Sequence, residues 1–87
     1  MTREELRRQL AELIAGATDG DVPASAALRA DAPLTALGVT SLATLRLVDA
    51  VEARYGVTLD PGDTAVLDSV DSLADHLARQ GIAAEVA

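Results

Sequence analysis

Three stretches of the chain carry apolar side chains at α-helical spacing, and this pattern constrains the fold more than any other feature. The first stretch contains Leu6, Leu10, Leu13 and Ile14. The second contains Leu42, Leu45, Leu47, Val48 and Val51, and the third contains Val70, Leu73, Ala74 and Leu77. Recurrence at three and four residues predicts amphipathic helices that each bury one face. The sequence therefore predicts an all-α domain whose core includes Leu45.

Capping residues and glycines indicate where the first two long helices begin and end. Thr2 followed by Glu5 has the spacing of a capping box, so we expect the first helix to start there. Gly16 is its predicted end. The second long helix is predicted over residues 41–55, with Gly56 in the position that often follows a helix.

A long connection, predicted over residues 17–40, joins these two helices. It contains turn-forming Asp, Gly and Pro residues, which argue against a continuous helix. Residues 24–29 are predicted to form a helical turn. We expect Leu28, Leu34 and Leu37 to fix the connection to the core, because long loops in small domains usually carry some structure.

The remainder of the chain is predicted to form two further helices. Residues 57–59 are interpreted as a buried linker, because no other segment is predicted to pair with them as a strand. A short third helix is predicted over residues 63–67. The last helix is predicted to begin near Ser69, with Asp68 as the competing N-cap, and to end at Gly81.

The chain has 87 residues, which is the size of one small domain spanning 1–87. Residues 82–87 are expected to form a frayed tail. Because the chain begins with a methionine and leads directly into an amphipathic pattern, we expect a stand-alone protein without a signal peptide.

The charge of the chain narrows its possible partners. Fourteen acidic residues outnumber seven arginines, and the formal net charge is −7. This balance disfavours nucleic acid and anionic membranes. With one Tyr and no Phe or Trp, the chain also lacks aromatic platforms for base stacking. We expect protein partners with basic patches, the alternative being that the charge only maintains solubility.

Catalytic and metal-binding residues are sparse in the sequence. Cysteine is absent, which excludes disulfides and thiolate sites and is compatible with a cytoplasmic location. His76 is the only histidine, and the adjacent Asp75 projects about 100° away on a helix. Asp60 and Asp63 flank a turn without the spacing of a calcium-binding loop. We therefore predict no metal site and no enzymatic activity.

Ser41 is the hydroxyl residue with the most informative surroundings. The run Leu37-Gly38-Val39-Thr40-Ser41-Leu42 places it after a glycine-containing loop, at the predicted start of the second long helix. A helix N-terminus presents free N–H groups and favours an anion attached there. The alternative is that Ser41 is simply the N-cap of this helix.

The segments 33–42 and 55–59 resemble the acyl carrier and peptidyl carrier family. That family has a leucine-glycine pair, two residues, and then a serine followed by Leu or Ile at a helix start. The resemblance extends over nearly the whole chain. It implies an acyl-carrier-like four-helix bundle, with three longer helices and a short third one.

The resemblance also implies a prosthetic group and site residues. In the family, the serine matching Ser41 is esterified by 4′-phosphopantetheine taken from coenzyme A. The thiol of this arm then carries an acyl or aminoacyl group as a thioester. Gly38, Thr40 and Leu42 flank the attachment residue, and Gly38 is expected to leave room for the modifying enzyme.

Two departures from the fatty-acid type of carrier point to specialised metabolism. Thr40 stands where many acyl carriers have an aspartate that helps the modifying enzyme recognise its target. Arg46 followed by Leu47 resembles peptidyl carriers, the alternative being that Arg46 only forms an ion pair with Asp49 on the same helix. We interpret the chain as a carrier of polyketide or nonribosomal peptide type, as used in antibiotic biosynthesis.

Partner enzymes are expected to dock on the second long helix and the loop before it. The predicted docking residues are Val39, Leu42, Arg46, Asp49 and Glu52. The resemblance implies as partners a phosphopantetheinyl transferase and adenylating, acyltransferase, condensing or ketosynthase enzymes. The carrier itself is expected to be a monomer. The alternative is a non-carrier helical interaction module in which Ser41 is a helix N-cap.

Overall fold

The computed structural model describes residues 1–29 and 32–82. These residues form four α-helices: α1 (Arg3–Ala17), α2 (Ala24–Arg29), α3 (Ser41–Tyr55) and α4 (Val70–Arg79). Two 3-10 helices, Leu34–Leu37 and Val66–Asp68, lie in the connections. No strand occurs within these two ranges, and the all-α prediction is confirmed. No helix of the described residues is long and apolar enough to span a bilayer.

The helices α3 and α4 both run antiparallel to α1. Near the end of α3, the Tyr55 hydroxyl donates to Gln9 Oε1 at 2.7 Å. Toward the start of α3, Arg46 Nη1 lies 3.2 Å from Asp19 Oδ2, just beyond the end of α1. Between α1 and α4, Arg3 pairs with Asp75 at 2.8 Å, and Arg7, one turn later in α1, pairs with Asp71, one turn earlier in α4, at 2.9 Å. This order is that of two antiparallel helices. The long helix α1 is therefore the centre on which the other elements pack.

The predicted helix ends agree with the caps that the structure shows. Thr2 Oγ1 accepts the N–H of Glu5 at 3.1 Å. Ser69 and Ser72 form a reciprocal capping box at the start of α4, which selects Ser69 over Asp68 as the N-cap. Gly56 follows α3 in the left-handed conformation, with φ of +67°. The predicted bounds of α3 are confirmed, whereas α1 continues one residue beyond Gly16.

The core is built from aliphatic side chains of all four α-helices and the first 3-10 helix. Its largest fully buried members are Leu6, Leu10, Ile14, Val22, Leu34, Leu47, Val51, Val70, Leu73 and Leu77. Burying an aliphatic side chain of this size contributes roughly 1.5–3 kcal/mol. Aliphatic side chains thus form the core of a chain that contains no Phe or Trp.

The prediction that Leu45 belongs to the core is wrong. Its side chain is 50% exposed, whereas Leu47 is 1% exposed. An α-helix turns about 100° per residue, so steps of three residues fall about 60° short of a full turn. A series at such steps winds around the helix, and the buried face of α3 instead follows Ala43, Leu47 and Val51 at four-residue steps.

The connection between α1 and α3 is more ordered than the sequence pattern predicts. The helical turn over residues 24–29 is confirmed as α2. Leu34 is 1% exposed and lies in the first 3-10 helix, an element that the sequence pattern does not predict. Leu28 and Leu37 are partly buried against the core, as predicted.

The third helix is shorter than predicted. In place of a helix over residues 63–67, a 3-10 helix covers Val66–Asp68. The Asp63 carboxylate accepts the N–H of Val66 at 3.2 Å and so caps this turn from outside it. Aspartate favours such capping positions because its side chain competes for nearby backbone N–H groups. The preceding linker, predicted to be buried over residues 57–59, is so only in part: Leu59 is buried, Val57 is partly buried and Thr58 is exposed.

The end of α4 is closed by a glycine turn. Gly81 has φ of +90°, and the N–H of Ile82 donates to the Leu77 carbonyl at 3.0 Å. This is the hydrogen bond of a Schellman motif, in which the following apolar residue packs back on the helix. Ile82 is partly buried against the core, so the predicted fraying does not include it. Residues 83–87 of the predicted tail lie outside the described residues.

Arg7 joins three helices through one guanidinium. Its Nε donates to Asp71 of α4 at 2.9 Å, and its Nη1 donates to Glu4 at 3.1 Å. Its Nη2 donates to the carbonyl of Leu28 in α2 at 3.1 Å. Burial lowers the pKa of Arg7, but the hydrogen bonds and charges of the two carboxylates outweigh it and leave that pKa raised. Arg3 extends the network to Asp75 at 2.8 Å.

Candidate functional site

The start of α3 presents Ser41 to solvent without using it as a cap. The N-cap is Thr40, whose Oγ1 accepts the N–H of Ala43 at 3.2 Å. Ser41 is the first residue of the helix, and its side chain is exposed. Within residues 1–29 and 32–82, its hydroxyl makes no hydrogen bond. The alternative that Ser41 serves as the N-cap is therefore wrong.

The backbone at this helix start favours an attached anion. The N–H of Thr44 is the first to donate to a carbonyl of the helical ladder, that of Thr40 at 2.9 Å. Thr40 caps the N–H of Ala43, which leaves the N–H groups of Ser41 and Leu42 without a helical acceptor. The first turn of α3 contains no acidic residue. A phosphate on Ser41 would therefore meet free donors and the positive end of the helix dipole.

Gly38 sets the path by which the chain approaches this helix start. It follows the first 3-10 helix with φ of +108°, a conformation that other residues rarely adopt. A Cβ built at Gly38 would have no heavy atom within 4 Å. The surface there is open, as expected, and it is the backbone conformation that requires glycine.

The predicted docking residues are divided between the surface and the interior. Leu42 is 58% exposed and lies next to Ser41, and Leu45, which was not in the predicted set, is exposed on the following turn. Val39 is 6% exposed, so its side chain belongs to the core. The apolar surface beside Ser41 is therefore formed by two leucines of α3.

The charged members of the predicted docking set have different environments. Arg46 pairs with Asp19, which lies in the loop between α1 and α2, and the alternative pairing with Asp49 is not seen. Asp49 is exposed. The Glu52 carboxylate accepts the N–H of Leu59 at 2.8 Å and fixes the linker after α3. Arg46 and Asp49 thus remain on the surface, whereas Glu52 has a structural hydrogen bond.

A groove begins at Ser41 and runs between α3, the first 3-10 helix and residues 61–68. Its outer section has a volume of about 320 Å³ and is lined by Thr35, Ser41, Thr44, Leu45, Pro61 and Thr64. Its inner section, of about 220 Å³, is lined by Pro33, Leu34, Thr35, Thr44, Pro61, Thr64, Leu67 and Asp68. The two sections share Thr35, Thr44, Pro61 and Thr64, so they form one continuous depression, hereafter the Ser41 groove.

Among the described residues, no histidine is hydrogen-bonded to Ser41. The only histidine, His76, lies on α4 beside Gln80, with which it makes a side-chain contact. In the part of the chain that the structure describes, no three His, Cys, Asp or Glu side chains are grouped as metal ligands. The site is instead an accessible hydroxyl at a helix start with a groove beside it, and this arrangement fits a covalently attached phosphate arm.

The comparisons with known proteins agree with this geometry. A family model described as "Phosphopantetheine attachment site" matches residues 8–77, which include α3 and the groove. No curated protein and no solved structure matches the chain. The matched family is the one that carries 4′-phosphopantetheine, as in acyl and peptidyl carrier proteins. Because the match covers most of the 87 residues, the chain belongs to the phosphopantetheine-binding carrier family.

Proposed function

We propose that Ser41 is the residue to which 4′-phosphopantetheine is attached, and that the chain is a non-catalytic carrier of thioester-bound acyl or aminoacyl groups. The observation that carries this proposal is the position of the Ser41 hydroxyl. It is exposed at the first residue of α3, while the adjacent Thr40 provides the cap. The serine is therefore free for modification without loss of the helix end.

Attachment requires chemistry that this chain does not supply. Ser41 Oγ bonds to the pantetheinyl phosphorus of coenzyme A, and adenosine 3′,5′-bisphosphate leaves as the phosphoanhydride bond breaks. A base of the transferase takes the hydroxyl proton, since no base is hydrogen-bonded to Ser41 among the described residues. The phosphodiester so formed carries a negative charge, which the N-terminus of α3 stabilises.

The exposed face of α3 is the surface on which we expect partner enzymes to dock. Leu42 and Leu45 supply an apolar contact next to Ser41, and Arg46 and Asp49 supply charges beside it. Val39 and Glu52 are left out of this surface because the first is buried and the second holds Leu59. The acidic chain as a whole favours partners with basic patches.

The setting of this carrier is proposed from the residues near Ser41. The residue types at Thr40 and Arg46 are more similar to those of carriers of polyketide or nonribosomal peptide type than to those of fatty-acid carriers. We also propose that residues 1–87 form a single carrier domain that acts as a monomer in the cytoplasm. Its partners would be a phosphopantetheinyl transferase and adenylating, acyltransferase, condensing or ketosynthase enzymes.

The decisive experiment is intact-mass spectrometry after incubation with coenzyme A and a broad-specificity phosphopantetheinyl transferase. We expect one added phosphopantetheine arm in the wild type and none in Ser41→Ala. Ser25→Ala is the matched control, because Ser25 is also an exposed serine in the first turn of a helix. A folded wild type that gains no mass, or a Ser41→Ala variant that gains it, contradicts the proposal and favours a helical interaction module.

A further inference from the structure

We propose that a second groove, formed by α1 and the end of α3, binds an acidic segment of a partner protein. This groove has a volume of about 310 Å³ and is lined by Arg8, Gln9, Glu12, Leu13 and Arg54; it is called the arginine groove below. The inference goes beyond the proposed function and does not depend on attachment at Ser41. It assigns a binding role to residues outside the predicted site.

The arginine groove lies on the side of α3 that faces away from the Ser41 groove. Arg54 follows Leu45, which lines the Ser41 groove, by nine residues, or about two and a half helical turns. Side chains separated in this way project from opposite sides of a helix. Arg54 also lies thirteen residues beyond Ser41, which is about 20 Å along α3. A segment bound in the arginine groove therefore leaves Ser41 and its neighbouring leucines uncovered.

The arginine groove is a positively charged site on an acidic protein. Two of the seven arginines, Arg8 and Arg54, line it, against a single carboxylate, that of Glu12. Neither guanidinium forms an ion pair among the described residues, whereas those of Arg7 and Arg46 do. Hydrogen bonds between guanidinium and carboxylate groups are among the stronger ones in proteins. Carboxylates of a partner can therefore pair with two cations that the chain itself leaves available.

Tyr55 orders two of the hydrogen-bond donors in the groove. Its hydroxyl donates to Gln9 Oε1 at 2.7 Å, which fixes the side-chain amide of Gln9. The Nε2 group of that amide has no acceptor among the described residues, so it can donate to a ligand. The Cζ of Arg54 lies 6.0 Å from the centre of the Tyr55 ring, within range of a cation–π interaction. Donors that are held in place before binding lose less conformational entropy when a ligand binds.

An apolar side chain in the lining favours a peptide segment over a free anion. Leu13 is partly buried against the core and also lines the groove, beside its charged residues. Contact between Leu13 and an apolar side chain of the partner would remove both from water, which is favourable. A free phosphate ion gains nothing from this leucine. The groove is therefore suited to a segment in which acidic residues adjoin an apolar one.

Titration of the isotope-labelled protein with short peptides, followed by nuclear magnetic resonance, tests this inference. The probe is acetyl-Leu-Glu-Glu-Leu-amide, and acetyl-Leu-Gln-Gln-Leu-amide is its matched control. With the glutamate peptide alone, we expect saturable shift changes of the backbone amides of residues 8–13 and 53–55. Because salt screens interactions between exposed charges, this binding should weaken as ionic strength rises.

Two double variants that lose the same charge test the arginines. We expect Arg8→Gln with Arg54→Gln to bind the glutamate peptide about tenfold more weakly than the wild type, because both guanidiniums of the groove are removed. Arg29→Gln with Arg79→Gln is the matched control, since it removes two exposed arginines outside the groove. Arg79, like Arg54, also lies in the last turn of its helix. The control should bind as the wild type does, and circular dichroism verifies that both variants are folded.

Glu12→Gln tests the charge of the groove in the opposite direction. It removes the only carboxylate of the lining, so we expect the glutamate peptide to bind more tightly than it does to the wild type. A change that merely disturbed the local structure would not strengthen binding. Unchanged or weaker binding by a folded Glu12→Gln variant contradicts the inference.

The remaining outcomes separate this inference from its alternatives. Shift changes that are absent from the groove residues, or equal with the glutamine peptide, or retained in the variant without Arg8 and Arg54, overturn it. Inorganic phosphate that produces the same shifts with equal affinity shows a general anion site and overturns the assignment to a protein segment. Ser41→Ala should bind the glutamate peptide as the wild type does, so failure of arm attachment and failure of this inference are observed independently.

Discussion

Thr40 Oγ1 accepts the N–H of Ala43 at 3.2 Å, and this single hydrogen bond separates the capping of α3 from the residue proposed for modification. Were Ser41 the cap, esterification of its hydroxyl would compete with the stability of the helix. With Thr40 in that position, the neighbouring hydroxyl is chemically available and the helix end keeps its partner.

This separation predicts unequal effects on stability at two adjacent residues. We expect Thr40→Ala to lower the free energy of unfolding by about 0.5–2 kcal/mol through loss of the N-cap. Ser41→Ala should change it by less than about 0.5 kcal/mol, as is usual for exposed residues. Urea denaturation followed by circular dichroism measures both, with Thr40→Ser as a variant that retains the cap. Equal losses at both positions would contradict the assignment of Thr40 as the cap.

A second prediction concerns recognition by the modifying enzyme. Thr40→Asp keeps a good N-cap and installs the residue that fatty-acid-type carriers have before the serine. We expect a fatty-acid-type transferase to modify this variant faster than the wild type, with little change in thermal stability. Time courses of intact mass provide the rates. If the two proteins react equally, the residue before Ser41 does not control this recognition.

Exposure predicts opposite outcomes for two leucines of α3. Leu47→Ala should destabilise the protein by about 2–5 kcal/mol, because it leaves a cavity in the core. Leu45→Ala should cost less than about 0.5 kcal/mol, because that side chain is half exposed. Chemical denaturation of the two variants distinguishes them. A large loss for Leu45→Ala would show that this leucine packs in the core after all.

The network around Arg7 predicts a larger effect than an ordinary surface ion pair. Arg7→Ala removes hydrogen bonds to Asp71, Glu4 and the Leu28 carbonyl, and we expect a loss of about 1–3 kcal/mol. Arg3→Ala removes only partly exposed pairs with Asp71 and Asp75, for which about 0–1 kcal/mol is expected. Amide hydrogen exchange should show faster opening of α2 in the first variant alone. Similar values for both variants would contradict the role of Arg7 in holding α2.

The pKa of Tyr55 predicts how stability changes at alkaline pH. Burial raises this pKa above its ordinary value of 10.0, although the charge of Arg54 acts in the opposite direction. A group whose pKa is raised by folding stabilises the protein fully below its unfolded value and loses that contribution as pH passes its folded value. The free energy of unfolding should therefore begin to fall near pH 10 and continue to fall above it.

Tyrosinate absorbance in a pH titration measures the folded pKa of Tyr55 directly. Tyr55→Phe is the control, since it should remove this part of the alkaline loss of stability. A folded titration midpoint at or below 10 would contradict the prediction.

The helix bounds could be predicted because they depend on neighbouring residues. Thr2, Ser69 and Gly56 each act within a few positions of the chain, and the structure has all three where the local pattern indicated. The serine at the start of α3 was found in the same way. Local hydrogen bonds of this kind are nearly independent of the rest of the fold.

What the sequence could not predict depends on contacts between distant residues or on helix phase. Arg46 pairs with Asp19, 27 positions away, rather than with its helical neighbour. The Glu52 carboxylate accepts the N–H of Leu59, a residue that lies beyond the end of α3. Leu45 was misassigned because the apolar pattern of α3 is broad enough to fit two faces. The Ser41 groove combines three separate segments, so no single motif marks it.

The contact between Tyr55 and Gln9 has a practical consequence for experiments with partner enzymes. Tyr55 is the only residue among Phe, Tyr and Trp in the chain, and it lies where α3 contacts α1. Its emission is therefore an intrinsic, label-free reporter of whether these two helices remain together. Because the chain has no tryptophan, it is optically silent when tryptophan is selectively excited. In a mixture, selective excitation of tryptophan therefore reports on a tryptophan-containing partner enzyme without any contribution from this chain.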